Sequence, residues 1–180
     1  MTIGVPRIVT TPRPETCWAR SRWDRESAIL HTSFQYPVPH SEGAETVRDR
    51  LDRQLGIRRR PGRVVLGDVD IAFRDAVRLE SLEVRRSIDC WDLVTLHDLP
   101  DGLANVWVIF ELEYDANQIA SVDVPVSILW DPRRQRIALR FGSPPFDSRW
   151  VAVADSVAIA LGEDGSLSEI RLDQVEVAQR

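Results

Sequence analysis

Three histidines, His31, His40 and His97, and two cysteines, Cys17 and Cys90, are the imidazole and thiol inventory of this 180-residue chain. A local zinc site gathers such donors at short spacings, as in His-Glu-x-x-His or paired Cys-x-x-Cys. None of these residues stands at such a spacing, so no metal and no cofactor is expected. There is no Gly-x-Ser-x-Gly turn to raise a serine nucleophile, and Cys17, beside Trp18, has no local base. Carboxylates do pair, at Asp68/Asp70, Glu111/Glu113 and Asp98/Asp101. Alternate strand positions would aim Asp68 with Asp70, and Glu111 with Glu113, from one face, as a metal or a glycoside-cleaving pair requires. The solvated side of a strand accounts for the same pattern with no chemistry. On this inventory the chain is expected not to be an enzyme.

The basic residues narrow the chemistry further. All 23 are arginine and lysine is absent, the composition of a GC-rich bacterial coding sequence. Without lysine there is no Schiff base, no phosphate-loop lysine and no Ser-x-x-Lys pair. Arginine suits phosphate and carboxylate contacts instead. It is concentrated in residues 48–63, which hold seven arginines, among them Arg58, Arg59 and Arg60, the expected partner-binding residues. Residues 1–90 carry 16 Arg against 13 acids, net +3, whereas residues 91–180 carry 7 against 15, net −8. A polarised molecule of this kind steers a partner or pairs head to tail with itself. Nucleic acid is disfavoured, because the sequence pI is about 5.3 and acids interleave the arginines.

Aromatic residues are the other candidate contacts. Of six tryptophans, Trp18, Trp107, Trp130 and Trp150, together with His31 and His97, are candidates to line a ligand site. The competing account is that they fill a large β core.

The elements that must position these residues are mostly strands. Residues 1–15, with Pro6, Pro12 and Pro14, read as an extended arm, and 16–180 as one β-rich domain. Thr16–Arg22 and Ser27–Val38 suit a hairpin around Asp24-Arg25-Glu26. Glu42–Leu55 reads as the one helix: Ala44, Val47, Leu51 and Leu55 form an apolar stripe, Ser41 is placed to cap it, and Gly56 suits its C′ position. Further strands are expected around Val69–Phe73, Leu82–Val84, Trp91–His97, Leu103–Tyr114, Ala120–Trp130, Gln135–Phe141 and on either side of the Glu163-Asp164-Gly165 turn. Pro125 within the 120–130 run marks an edge or a bulge. The expected fold is mainly β: an antiparallel meander or partly closed barrel of about ten strands with one amphipathic helix, 42–55, packed on it.

An 88-residue shift lays Val65, Val69, Ile71, Phe73, Leu79, Leu82 and Val84 on Val153, Val157, Ile159, Leu161, Leu167, Ile170 and Leu172. It also lays Phe34, Tyr36, Pro37 and Val38 on Val122, Val124, Pro125 and Val126. Two related halves, about 16–88 and 104–176, are one reading, and shared strand periodicity is the other. Trp130-Asp131, Ile137–Phe141, Glu163-Asp164-Gly165 and Glu169-Ile170-Arg171-Leu172 follow a separate pattern. On those residues, 130–172 resembles a short bacterial β-hairpin family of unknown function, though Trp130 stands where that family has tyrosine. The resemblance implies a β fold and no chemistry.

No apolar run approaches the roughly 20 residues of a membrane span, and the N-terminus lacks the pattern of a secretory signal. Two cysteines make no disulfide framework, so a cytoplasmic location is expected. The functional expectation is a non-enzymatic binding or assembly protein acting through a β surface, with a protein partner or further copies of itself. The alternative is a β-barrel that binds a small apolar ligand and carries weak enzymatic activity.

Overall fold

The computed structural model describes residues 4–37, 62–74, 77–142 and 148–178. The expected helix 42–55, with His40 and Arg58, Arg59 and Arg60, lies outside the described residues. Within them the only helical element is a 3-10 turn at Ile88–Cys90, and no helix is long and apolar enough to cross a membrane.

Among the described residues fifteen strands run in chain order: β1 Arg7–Pro12, β2 Trp18–Asp24, β3 Ile29–Gln35, β4 Arg63–Leu66, β5 Val69–Phe73, β6 Leu79–Arg85, β7 Asp92–Leu93 and β8 Val106–Glu111, then β9 Ile119–Val122, β10 Val126–Asp131, β11 Arg136–Phe141, β12 Arg149–Ala154, β13 Val157–Leu161, β14 Leu167–Leu172 and β15 Glu176–Val177. They form a seven-stranded sheet, β15-β2-β3-β6-β5-β4-β9, a six-stranded sheet, β12-β13-β14-β11-β10-β7, and a two-stranded ribbon, β1-β8. The expected extended arm thus supplies β1, which pairs antiparallel with β8 from Arg7↔Glu111 to Pro12↔Val106.

None of the three sheets closes on itself, which corrects the barrel alternative. A half-buried strand needs cover on one face only, and here the inward faces cover one another. Phe34, Ile71 and Leu82 of the seven-stranded sheet meet Val153, Ile159 and Ile170 of the six-stranded sheet, and Ile8, Val108 and Phe110 of the ribbon complete the same interior.

The long run at 120–130 is not one strand. β9 pairs parallel with β4 in one sheet, and β10 pairs with β11 in the other. The chain changes sheets between Val122 and Val126, around Pro125. Proline has no N–H to give to a ladder, which fits a crossover better than a strand interior. Its carbonyl is used, accepting from Gly142 N at 3.0 Å. The crossover is crowded: a side chain at Gly67, in the β4–β5 turn with φ +55°, would come within 2.6 Å of the Val124 carbonyl.

The two large sheets repeat one order. β2-β3-β6-β5-β4 in the first matches β10-β11-β14-β13-β12 in the second. β5 and β13 start 88 residues apart, and so do β6 and β14. Each pair carries a bulge at the matching place, Phe73↔Leu79 and Leu161↔Leu167. The 88-residue shift fails upstream, where β3 takes the position held by β11 and not that of β9. The cause is the unequal length of chain between β3 and β4 and between β11 and β12.

The last strand of each repeat joins the other sheet. β7 follows β6 and pairs parallel with β10, while β15 follows β14 and pairs parallel with β2. Val94 N donates to Trp130 O at 3.1 Å, and Ala178 N donates to Trp23 O at 2.9 Å. Two-residue edge strands leave little free backbone for another chain to pair with.

Candidate functional site

Alternation places Trp23 of β2 inward and Trp18, Arg20 and Arg22 outward. Trp23 stacks against Trp91 with ring centroids 4.8 Å apart, and meets the edge of Trp130 at 6.2 Å. All three are buried, and they rivet the seam where the sheets exchange their last strands. The indole N–H groups of Trp23 and Trp91 have no partner among the described residues.

Outside this rivet runs a groove of about 920 Å3, lined by Arg22, Asp24, Arg25, Glu26, Trp130 and Val177 among others. The Arg25 guanidinium lies 5.1 Å from the Trp23 ring, a cation–π contact closing the groove floor. Hydrogen bonds from the Ser27 hydroxyl and, less strongly, the Glu26 amide stabilise the Asp24 carboxylate and hold its pKa below the usual range. The groove continues onto the outer face of the seven-stranded sheet, because Arg22 belongs to both. Cross-strand partners extend that face from Arg22 through His31 and Glu83 to Asp70. Trp18, 46% exposed, stands at the end of the β2 row. Arg20 beside it makes a two-pronged ion pair with Glu176, Nη2 to Oε2 at 2.9 Å.

The outer face of the six-stranded sheet is partly covered by a strap that follows β7, and Ala138, Ala158 and Ala160 are buried there. Leu96 packs on Leu129 and Ala138, and Leu96 N donates to Asp131 Oδ2 at 3.0 Å. That amide, with those of Arg133 and Arg134, holds the Asp131 carboxyl below its usual pKa. Beneath the strap, Arg171 donates to Glu169 and, through Nη1, to His97 O at 3.0 Å. At the strap's far end a cleft of about 490 Å3 is lined by Asp98, Asp101, Asp155, Asp173 and Arg136. Arg136 Nη1 bonds Asp98 at 2.5 Å, and its Nε lies 3.3 Å from Asp173 Oδ1 without hydrogen-bond geometry. Burial therefore outweighs the arginine and raises the Asp173 pKa, while Arg136 lowers that of Asp98.

The expected ligand-lining residues are not brought to one place. Trp18 and His31 lie on the open face, and Trp130 is in the buried seam. Trp107, on the ribbon, stacks with Tyr36 at 5.5 Å. Only Trp150 and His97 share a neighbour: the Arg171 guanidinium lies 5.4 Å from the Trp150 ring and bonds the His97 carbonyl. The paired carboxylates are largely taken by arginine. Asp70 pairs with Arg63, Asp68 with Arg86 at 3.4 Å and Glu111 with Arg7 at 3.9 Å. Among the described residues no group of three or more His, Cys, Asp and Glu is arranged to hold a metal ion.

Sequence reasoning missed Trp23 and Trp91 as the seam and Glu169–Arg171 as the strap's anchor. Alternation in β2 already separated Trp23 from Trp18, so that signal was present. The Glu169–Arg171 contact joins neighbouring positions of one strand, and nothing in their spacing announces burial of both. No family model matches the chain, and no curated protein matches it in sequence.

Proposed function

We propose that this chain is a non-enzymatic binding and assembly protein that works through the open face of its seven-stranded sheet and the groove beside β2. One contrast of volumes carries the reading. The apolar gap between the sheets holds about 20 Å3, whereas sites for small molecules run to about 300–1,000 Å3. An interior apolar ligand has no room there, and the large opening is the groove, floored by Trp130, with exposed Trp18 at the other end of β2. Tryptophan and arginine are the side chains that dominate binding energy at protein interfaces.

The partner that fits is a protein surface carrying charges of both signs, and a second copy of the chain offers one. Arg22 and Arg25 edge the groove beside Asp24 and Glu26, and Asp98, Asp101 and Asp155 edge the cleft of the other sheet beside Arg136. A head-to-tail contact between these openings would set arginine of each against carboxylates of the other. The repeated strand order is what a duplicated ancestor would leave.

Sedimentation velocity over a range of protein concentrations, at low and high salt, tests this. The expected result is an oligomer that dissociates as salt rises and is lost in Arg22→Glu combined with Trp18→Ala. A monomer at every concentration and salt level would remove the assembly reading.

A further inference from the structure

We propose that Arg13 forms an oxyanion site at the margin of the core, with its Nε–Nη2 edge receiving two oxygens of one phosphate or carboxylate group. Arg13 follows β1 and is 5% exposed. Its Nη1 donates to Val153 O at 2.6 Å, and its guanidinium lies 5.4 Å from the Trp107 ring. Nε and Nη2 are both buried, and neither has a partner among the described residues. No carboxylate among the described residues forms an ion pair with it.

That arrangement is costly as it stands. Guanidinium stays charged at any ordinary pH, so it cannot escape burial by losing a proton as lysine does. Burying an ion without a counter-charge disfavours the fold. The two unused atoms form the planar side-on fork that matches a carboxylate or phosphate bidentately. The surroundings add positive charge and aromatic surface. Arg78 places a second guanidinium 6.0 Å from the same Trp107 ring, and the half-buried Tyr36 stacks on it. Cys17 and Tyr36 are close enough to interact with the Arg13 charge. Both are uncharged at neutral pH and leave that charge unbalanced. The site is separate from the groove beside β2, so neither proposal depends on the other.

Thermal unfolding of the full chain provides the test, with inorganic phosphate, acetate, or chloride at matched ionic strength. The expected result is a saturable rise of the midpoint, about 3–6 °C at a tenfold excess over half-saturation, in phosphate or acetate and not in chloride. A response to phosphate alone assigns a phosphate group as the ligand, and one to acetate assigns a carboxylate. Arg13→Met should abolish the response, and Arg13→Lys, which keeps the charge and loses the fork, should weaken it. Trp107 fluorescence, read against a Trp107→Phe control, gives a second readout on the unsubstituted arginine and stays decisive if the Arg13 variants do not fold. No saturable response to either anion, or one retained in Arg13→Met, would overturn the assignment.

Discussion

Glu169→Ala should be among the most destabilising single substitutions on the six-stranded sheet, and the reason lies in its two arginine partners. Arg171 and Glu169 have side chains only 6% and 7% exposed and pair at 2.5 Å. Arg140, paired with the same carboxylate at 2.8 Å, is 38% exposed. Removing the carboxylate strands a buried charge on Arg171, and breaking a buried pair in this way costs about 3–5 kcal/mol. The His97 carbonyl and the Trp150 ring still receive Arg171, but neither neutralises it. Arg140 can turn to water, so Arg140→Ala should cost only about 0–1 kcal/mol. Urea denaturation separates these values: at an m-value of about 2 kcal/mol/M, Glu169→Ala moves the midpoint down by about 1.5–2.5 M. Replacing Glu169 and Arg171 together by leucine should come close to neutral, because desolvation of both ions is relieved along with the lost attraction. Equal losses for Glu169→Ala and Arg140→Ala, or a loss under about 1 kcal/mol for the former, would refute the argument from burial.

Cys17 is wholly buried and burial raises its thiol pKa, while Cys90 is exposed. A thiol reagent should therefore label one cysteine in the folded protein and both only after denaturation, as read by mass spectrometry. Burial raises the Asp173 pKa above the unfolded value of 3.8, so between those two values the native state binds more protons than the unfolded chain. Stability then falls as pH rises through that window, and the ionised carboxylate is a net cost above it. Asp173→Asn should accordingly raise the melting temperature at about pH 7, and the gain should shrink towards about pH 4. A gain that is the same at both pH values would mean that charge is not its cause.

Strand identity was largely legible in the sequence. Ile71 and Phe73, or Leu30, Thr32 and Phe34, alternate with solvent-facing neighbours, and period-two burial is a local property that needs no knowledge of the partner strand. The expected strands at 91–97 and 103–114 were too long for the same reason: apolar content marks burial, and burial also occurs in a strap. Leu96 is buried against Leu129 and Ala138 without belonging to any strand.

By itself the sequence determined a β-rich chain with arginine as its only basic side chain, and apolar positions that match after a shift of 88 residues. The tertiary structure decided the rest. The chain's change of sheets at Pro125, the exchange of β7 and β15, and the meeting of Trp23 with Trp91 and Trp130 are all contacts between distant segments, and pairing energy leaves no local pattern for such contacts. The same holds for the sites. Arg13 looks like any arginine between two prolines until Val153 and Trp107, 140 and 94 residues away, close around it and leave its fork unpaired.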